Sequence, residues 1–563
     1  MSVIKCKDLP YQRFEVEKAE KAFDLFKERT QKAETAQDVI AARADFLKVI
    51  DDYSTNASLA NMRYDINVYD EFYEKEKDYY DQVSPTIDGY IADYCKLMLN
   101  SPFRAELEKM LPETLFKSYE CAAKSHSKEI EDDEREENIL VSEYAELMAK
   151  LTTDFKGEKR PISFIRGFME DSDREVRKEA AYAIGKALES VSDKLDEIFD
   201  KLVKVRTRMA RKLGYKNYVE LGYLKMNRID YDEDMVKTFR KNVETDVVPV
   251  VSDMKRKIKN DLGLDKFYFY DNEITETPVA PTPYVNGDDL LNAGLEAYRD
   301  MSKLTGDFMK EMLDAEAFDV DARKGKWGGG YCTSFANFKQ PFILANFNGS
   351  SGDVDVVTHE FGHALADKLC FDYGDSEASV GTYETCETHS MSMEFFAWKY
   401  CDKFFKDVKS YKLKHLGSAL TFIPYGVIVD EFQHIVYENP DMTPAERNEA
   451  YLRLERKYRP HMTFEGIPYL EKGTRWQYQM HIYESPFYYI DYCLAQVVAL
   501  EFLVESQKDY DDALNRYFEH VKRGGLYPFS KLVEKAGLNS PFKEGALKEV
   551  LKASLEILES LRN

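Results

Sequence analysis

The chain has 563 residues and a mass of 65.4 kDa, with 44% apolar and 32% charged residues. That is an ordinary globular composition, too long for one small core, and it argues against wholesale disorder. Asp plus Glu (102) outnumber Lys plus Arg (78), and the formal net charge of -24 repels phosphate backbones and anionic lipid, so neither nucleic acid nor a membrane is an expected partner.

No apolar run approaches the roughly 18 residues needed to span a bilayer. The first ten residues, MSVIKCKDLP, carry no apolar core of a signal peptide. The eight cysteines are irregularly spaced and form no C-x-x-C pair, so they read as reduced thiols. Together these features point to the cytoplasm.

In chain order, Phe14 to about Leu264 reads as mainly helical, with stripes such as Ala181, Ile184, Ala187, Leu188 and Val191. The acidic run Glu129 to Glu137 (EIEDDEREE) reads as a solvated helix face. Asp171 to Leu188 looks like one helical-repeat unit, but no second copy follows at a fixed period. Phe267 to Asp289, punctuated by Pro278, Pro281, Pro283 and Gly287, predicts an extended connection. Trp327 to Phe335 and Phe342 to Phe347 are short and aromatic, separated by Lys339-Gln340-Pro341, and predict a small hairpin or sheet. Gly328-Gly329-Gly330 lacks the Gly-Lys-Ser/Thr ending of a phosphate loop, which excludes that mode of nucleotide binding. From Asp353 onward helices dominate.

The sharpest motif is His359-Glu360-Phe361-Gly362-His363, an H-E-x-x-H. Ser351 or Asp353 can cap a helix there, and Val357, Phe361, Ala364 and Leu365 supply its apolar stripe. Residues four apart share a helix face, so His359 and His363 can present two imidazoles to one ion, with Glu360 beside them. Two nitrogen ligands and a nearby carboxylate base are what a zinc hydrolase needs.

A catalytic zinc takes a third protein ligand from another element. Gly381 to Tyr400 predicts a second helix, on which Glu384, Glu387, Met391, Glu394 and Trp398 share a face. Glu387 follows His363 by enough residues for a turn and return. His389 is a rival ligand, but it lies off that face. Asp367, four residues after His363, can support an imidazole.

The pair HEFGH and ETHSMSMEFF resembles the thimet-oligopeptidase-like metallopeptidases, most closely their bacterial oligoendopeptidase F branch. The resemblance extends over Gly328 to Phe335, Val429 to Pro440 and His481 to Gln496, and more weakly over Arg206 to Asp230. It implies a mainly α, two-lobed helical body with a deep substrate channel and a small β element beside the H-E-x-x-H helix. It implies His359, His363 and Glu387 as ligands of one Zn2+ per chain, Glu360 as general base, and Glu394 as support for a ligand histidine. Residues 1–195 then form an N-terminal helical lobe and 196–563 the catalytic domain.

His481, Tyr483, Tyr488, Tyr489 and Tyr492 crowd polar-tipped rings into one segment. Peptide hydrolysis builds negative charge on the carbonyl oxygen, and neutral donors aimed there favour the transition state. By resemblance His481, Tyr489 and Tyr492 match best, while the choice among Tyr488, Tyr489 and Tyr492 stays open. The intervening IYESPF stands where the family is Gly-rich. His434 and Tyr437 carry no assigned chemistry, and His126, His415, His461 and His520 have no partners at metal spacing. Phe342 to Phe347 can in addition pair with an extended peptide.

The expected function is a zinc-dependent endopeptidase acting on short oligopeptides. The alternatives are an aminopeptidase or dipeptidase with the same site, or an inactive peptide-binding scaffold. Cleavage preference and oligomeric state are left open.

Overall fold

The structure, a computed structural model, describes residues 4–274, 280–379 and 381–563. Helices form most of it, 72%, as the sequence predicts. In the N-terminal part, Val16–Gln31, Ala36–Ile66, Glu71–Leu99 and Glu113–Ser125 pack around Phe26, Phe46, Tyr94, Met98, Leu115 and Phe116. A capping box between Thr35 and Asp38 satisfies the first free N–H groups of Ala36–Ile66 and fixes its start. That helix also braces the rest of the molecule. The Asp65 carbonyl accepts from the Trp327 N–H at 2.8 Å, and its carboxylate from the Tyr331 hydroxyl at 2.9 Å. Arg43, 3% exposed, pairs with Asp375 at 2.7 Å and Glu377 at 2.6 Å.

Four helices of the larger core frame the site. These are the motif helix Gly352–Cys370, the ligand helix Tyr383–Phe396, the central helix Val408–Glu438 and the tyrosine helix Tyr489–Lys508. A Cβ on Gly426 of the central helix would lie 2.1 Å from Cys493 Sγ of the tyrosine helix, so only glycine permits that crossing.

Two small sheets interrupt the helices. The first is a hairpin of β1 (Thr152–Phe155) and β2 (Glu158–Pro161), inside the stretch expected to be helical. Its strands are four residues each, too short for alternation to show in the sequence. The second contains β3 (Phe318–Asp321), β4 (Tyr331–Phe335) and β5 (Gln340–Phe347) in the order β3-β5-β4. β4 and β5 form the expected hairpin, with Tyr331 opposite Leu344 and Phe335 opposite Gln340. β3, not foreseen, joins β5 in parallel from the Phe318–Ile343 pair onward.

This order corrects one expectation. β5 is the central strand, its backbone taken by β3 on one side and β4 on the other, so Phe342 to Phe347 cannot pair with an added peptide. The sheet's two edges belong to β3 and β4.

Among its described residues, the predicted extended connection is coil with a short helical turn at Phe269–Asp271, and it ends at the helix Gly287–Met301. Pro278 lies outside the described residues.

The acidic run is a solvated face only in part, with Glu129, Asp132 and Glu136 exposed. It opens the helix Glu131–Lys150, and Asp133 and Glu134 are buried. Asp133 holds Arg208 at 2.7 Å and Lys212 at 2.6 Å, while Glu134 holds Lys225 at 2.9 Å. Glu137 pairs at 2.6 Å with Arg206, which is fully buried. Arg206 also donates to the Tyr437 hydroxyl at 2.9 Å and to the Ile482 and Tyr483 carbonyls, beside His481. Removing one member of a buried charge network leaves the others desolvated and unpaired. Arg206→Met is therefore expected to cost on the order of 3 kcal/mol, read as a lowered Tm.

Candidate zinc site

The motif helix forms because Val354, Val357, Phe361, Ala364 and Leu365 recur on one buried stripe. Phe361 stacks on Tyr298 with ring centroids 3.8 Å apart. The opposite face carries His359, Glu360 and His363. Ser351 occupies the cap position, but its hydroxyl makes no cap hydrogen bond and instead accepts from Lys414 at 2.8 Å. The Asp353 carboxylate accepts from the Asn348 and Gly349 N–H groups upstream.

The ligand helix crosses the motif helix at Gly362. A Cβ there would lie 2.7 Å from both the His389 carbonyl oxygen and Ser390 Cα. This contact brings Glu387 to the histidines. Its Oε2 is 3.2 Å from His359 Nε2 and 3.5 Å from His363 Nε2. One donor atom from each of the three residues lies within 4.8 Å of the others. Ser390 Oγ donates to Glu387 at 3.0 Å, and the Tyr488 hydroxyl donates to its other oxygen. Glu387 is 3% exposed, while the His359 and His363 side chains keep 19% and 21% exposure, so solvent reaches the imidazoles.

The electrostatics fit a cation. Burial alone would raise the Glu387 pKa, but His363 and His359 outweigh it and hold the carboxyl well below its usual range. Burial alone would lower the His359 pKa, but hydrogen bonds to Glu387 and Glu394 raise it well above normal. Positive charge is thus stabilised among these groups, and the donor set of two imidazoles and one carboxylate suits zinc. Glu360, 8% exposed, has its pKa raised by burial, with the two histidines pulling the other way.

Glu394 accepts from His359 Nδ1–H at 2.7 Å. A carboxylate only accepts, so the proton is fixed at Nδ1 and Nε2 is left as the ligand atom. Its other oxygen is 2.7 Å from His415 Nε2, and Trp398 Nε1–H donates to His415 Nδ1 at 2.9 Å. Indole nitrogen only donates, so the proton of His415 must sit on Nε2 and point at Glu394. Sequence reasoning set His415 aside because no spacing marks it; it belongs to the central helix and meets Glu394 only in the folded chain.

The other candidates disperse. His389 faces His520, ring centroids 5.5 Å apart, and is not among the clustered donor atoms. Asp367, its pKa pushed up to about 6 by burial, is held by Ser334. Glu384 bonds to Thr382 and approaches Tyr231, away from the histidine pair.

The His481 segment approaches the cluster from the tyrosine helix. Tyr425 donates to Gln479 Oε1 at 2.6 Å, and Gln479 Nε2 donates to His481 Nδ1 at 2.8 Å. This relay places the His481 proton on Nε2, which is 3.5 Å from the Tyr492 hydroxyl. Burial pushes the His481 pKa down to about 4, so the ring is neutral. Burial and Glu387 raise the Tyr488 and Tyr492 pKa values well above normal, so both keep their protons. The Tyr489 ring packs between Phe422, Tyr425 and His481.

Residues 167–551 match Peptidase family M3, and residues 6–126 match the Peptidase M3 N-terminal domain. The chain belongs to peptidase family M3. It is a zinc metalloendopeptidase of the oligoendopeptidase F-like group. Oligopeptidase PepF of Bacillus subtilis is 25% identical over 502 residues, covering 84% of this chain and 71% of that protein. An oligoendopeptidase F homolog of Borreliella burgdorferi is 23% identical over 430 residues, covering 71% and 70%. The solved structure of PZ peptidase A with an inhibitor is 42% identical, covers 99% of each chain, and superposes with a TM-score of 0.96. Oligoendopeptidase F from Enterococcus faecium, 17% identical with a TM-score of 0.62, covers 97% of this chain and 98% of that one and shares the fold. Among the described residues no helix is long and apolar enough to cross a membrane.

The crossing at Gly362 yields a direct test. Gly362→Ala meets backbone, which cannot swing aside as a side chain can, so the helices must separate. Overpacking of this kind costs about 1–3 kcal/mol. The expected result is a lowered Tm together with weakened zinc retention on dialysis, read by metal analysis.

Proposed function

We propose that this M3 peptidase hydrolyses internal bonds of short, extended oligopeptides in the cytoplasm, with His359, His363 and Glu387 holding one zinc per chain. The observation that carries the reading is Glu360, buried beside the three clustered donors and close to Cys332 of β4. β4 is an edge strand of its sheet and the one beside Glu360, so an extended peptide paired along it would pass the general base. Main-chain pairing is largely indifferent to side chains, which suits broad specificity. A lobe formed by residues 1–195 walls the approach and limits substrates to short chains.

Bound zinc supplies Lewis acidity, polarising the scissile carbonyl and acidifying water. Glu360 takes the proton of the attacking water and delivers it to the leaving amine. Glu394 keeps the His359 proton on Nδ1. Tyr488 is committed to Glu387. His481 Nε2–H and the Tyr492 hydroxyl therefore remain to donate to the carbonyl oxygen as it gains charge, with Tyr489 against the His481 ring.

A quenched-fluorescent peptide with a blocked N-terminus separates this reading from an aminopeptidase, which needs the free amine. The enzyme should cleave it internally, lose activity to 1,10-phenanthroline and regain it with zinc. Glu360→Gln should retain zinc and lose about 10²–10⁴-fold in kcat. Cleavage of unblocked peptides alone, or near wild-type kcat in Glu360→Gln, would count against the proposal.

Tyr492→Phe removes one donor and little volume. A donor that matters mainly when the oxygen is charged affects kcat more than KM. The expected loss is on the order of 10²–10³ in kcat with KM nearly unchanged. Unchanged kcat with a lowered Tm would assign Tyr492 to packing instead.

A further inference from the structure

A second group of metal-ligating side chains lies outside the catalytic site. Glu233, His434 and Glu438 each place one donor atom within 4.8 Å of the other two. His434 is 3% exposed, and its Nδ1 has no hydrogen-bond partner. Glu233 Oε1 is 3.8 Å from that nitrogen, beyond hydrogen-bond range but short enough for both atoms to flank one ion.

The other face of the ring is held as a ligand histidine is held. His434 Nε2 is 3.1 Å from the Tyr223 hydroxyl and 3.6 Å from the Asp430 carboxylate, which is fully buried and paired with Arg240 at 2.6 Å. A proton on Nε2 satisfies these acceptors and leaves the Nδ1 lone pair facing Glu233 and Glu438. Burial lowers the His434 pKa to about 4, so the imidazole is neutral, the form that ligates.

The carboxylates have no close ion-pair partner. Neither Glu233 nor Glu438 has a Lys or Arg within ion-pair distance among the described residues, and burial and Glu438 raise the Glu233 pKa although Arg240 and Lys237 pull the other way from further off. Glu438 is also the last residue of the central helix, where the carbonyl end of the helix dipole disfavours further negative charge. A cation relieves both repulsions at once.

We propose that Glu233, His434 and Glu438 form a second divalent-cation site that ties the end of the central helix to the start of the helix Glu233–Asn242. One imidazole with two carboxylates favours a borderline ion such as Zn2+ or Co2+ over Mg2+ or Ca2+.

The test uses dialysed holoenzyme carrying one zinc per chain and titrates it with ZnCl2 by calorimetry and metal analysis. Wild type should take up one further equivalent, and its Tm should rise, because an ion that binds only the folded state stabilises it. The double variant Glu233→Gln/Glu438→Gln changes two exposed side chains, so it should fold and keep its basal kcat. It should take up no further equivalent, and its Tm should not respond to added zinc. If wild type binds no second ion, or the double variant binds as much as wild type, the proposal is overturned.

Discussion

The active centre depends on how closely two helices can approach. Zinc ligation here requires donors from the motif helix and the ligand helix, and imidazole and carboxylate side chains reach only a few ångströms. Gly362 supplies the approach by presenting no Cβ to the His389 carbonyl and Ser390 Cα. The motif H-E-x-x-H is thus more than two ligands and a base. Its fourth position sets the depth of the crossing, and Glu387 reaches both imidazoles because of it. The flanking Phe361, stacked on Tyr298, presses the same helix against its other neighbours and prevents the pair from drifting apart.

Around that crossing, hydrogen-bond chains of fixed polarity assign protons. Trp398 can only donate, which sends the His415 proton toward Glu394, and Glu394 can only accept, which sends the His359 proton away from the ligand atom. Tyr425 and Gln479 do the same for His481, with the opposite purpose. There the outward nitrogen carries the proton, as the proposed donor role requires. The residues behind the two imidazoles fit one to the proposed ligand role and the other to the proposed donor role.

What the sequence discloses follows from the range of each interaction. The H-E-x-x-H helix, the carboxylates three and seven apart on the ligand helix, and the β4–β5 hairpin are all local patterns, and all are present. The role of His415 is not local: its partners sit on another helix, and its surroundings carry no diagnostic spacing. The same holds for β5. Its composition marks a strand, but only the arrival of β3 from outside the hairpin decides that β5 is interior and that β4 is left as an edge. The acidic run misled for a related reason. Charged residues are solvated by default, and the Arg and Lys partners that bury Asp133 and Glu134 come from helices far along the chain. The family resemblance reaches further than spacing can, since it relates His481 and Tyr492 to the histidine pair of the motif helix, far back in the chain, and the structure sets both near Glu387.

Charge also bears on the donors proposed for the oxyanion, His481 and Tyr492, which on that reading must be neutral. Three carboxylates, Glu360, Glu387 and Glu394, surround two imidazoles, so the arrangement favours positive charge, visible in the raised pKa of His359 and the depressed one of Glu387. A cationic donor near this group would be drawn to Glu387 and compete with the metal. Lysine or arginine in place of His481 would form that ion pair. Histidine avoids it only while it stays unprotonated, and burial ensures this by lowering its pKa to about 4 even though Glu387 pulls in the other direction. Tyr492 satisfies the same requirement from the other side, since burial keeps its hydroxyl protonated. The low-dielectric wall therefore does two things with one physical cause. It strengthens every hydrogen bond offered to a developing oxyanion, and it keeps the groups that offer them from acquiring a charge that would close the site on itself.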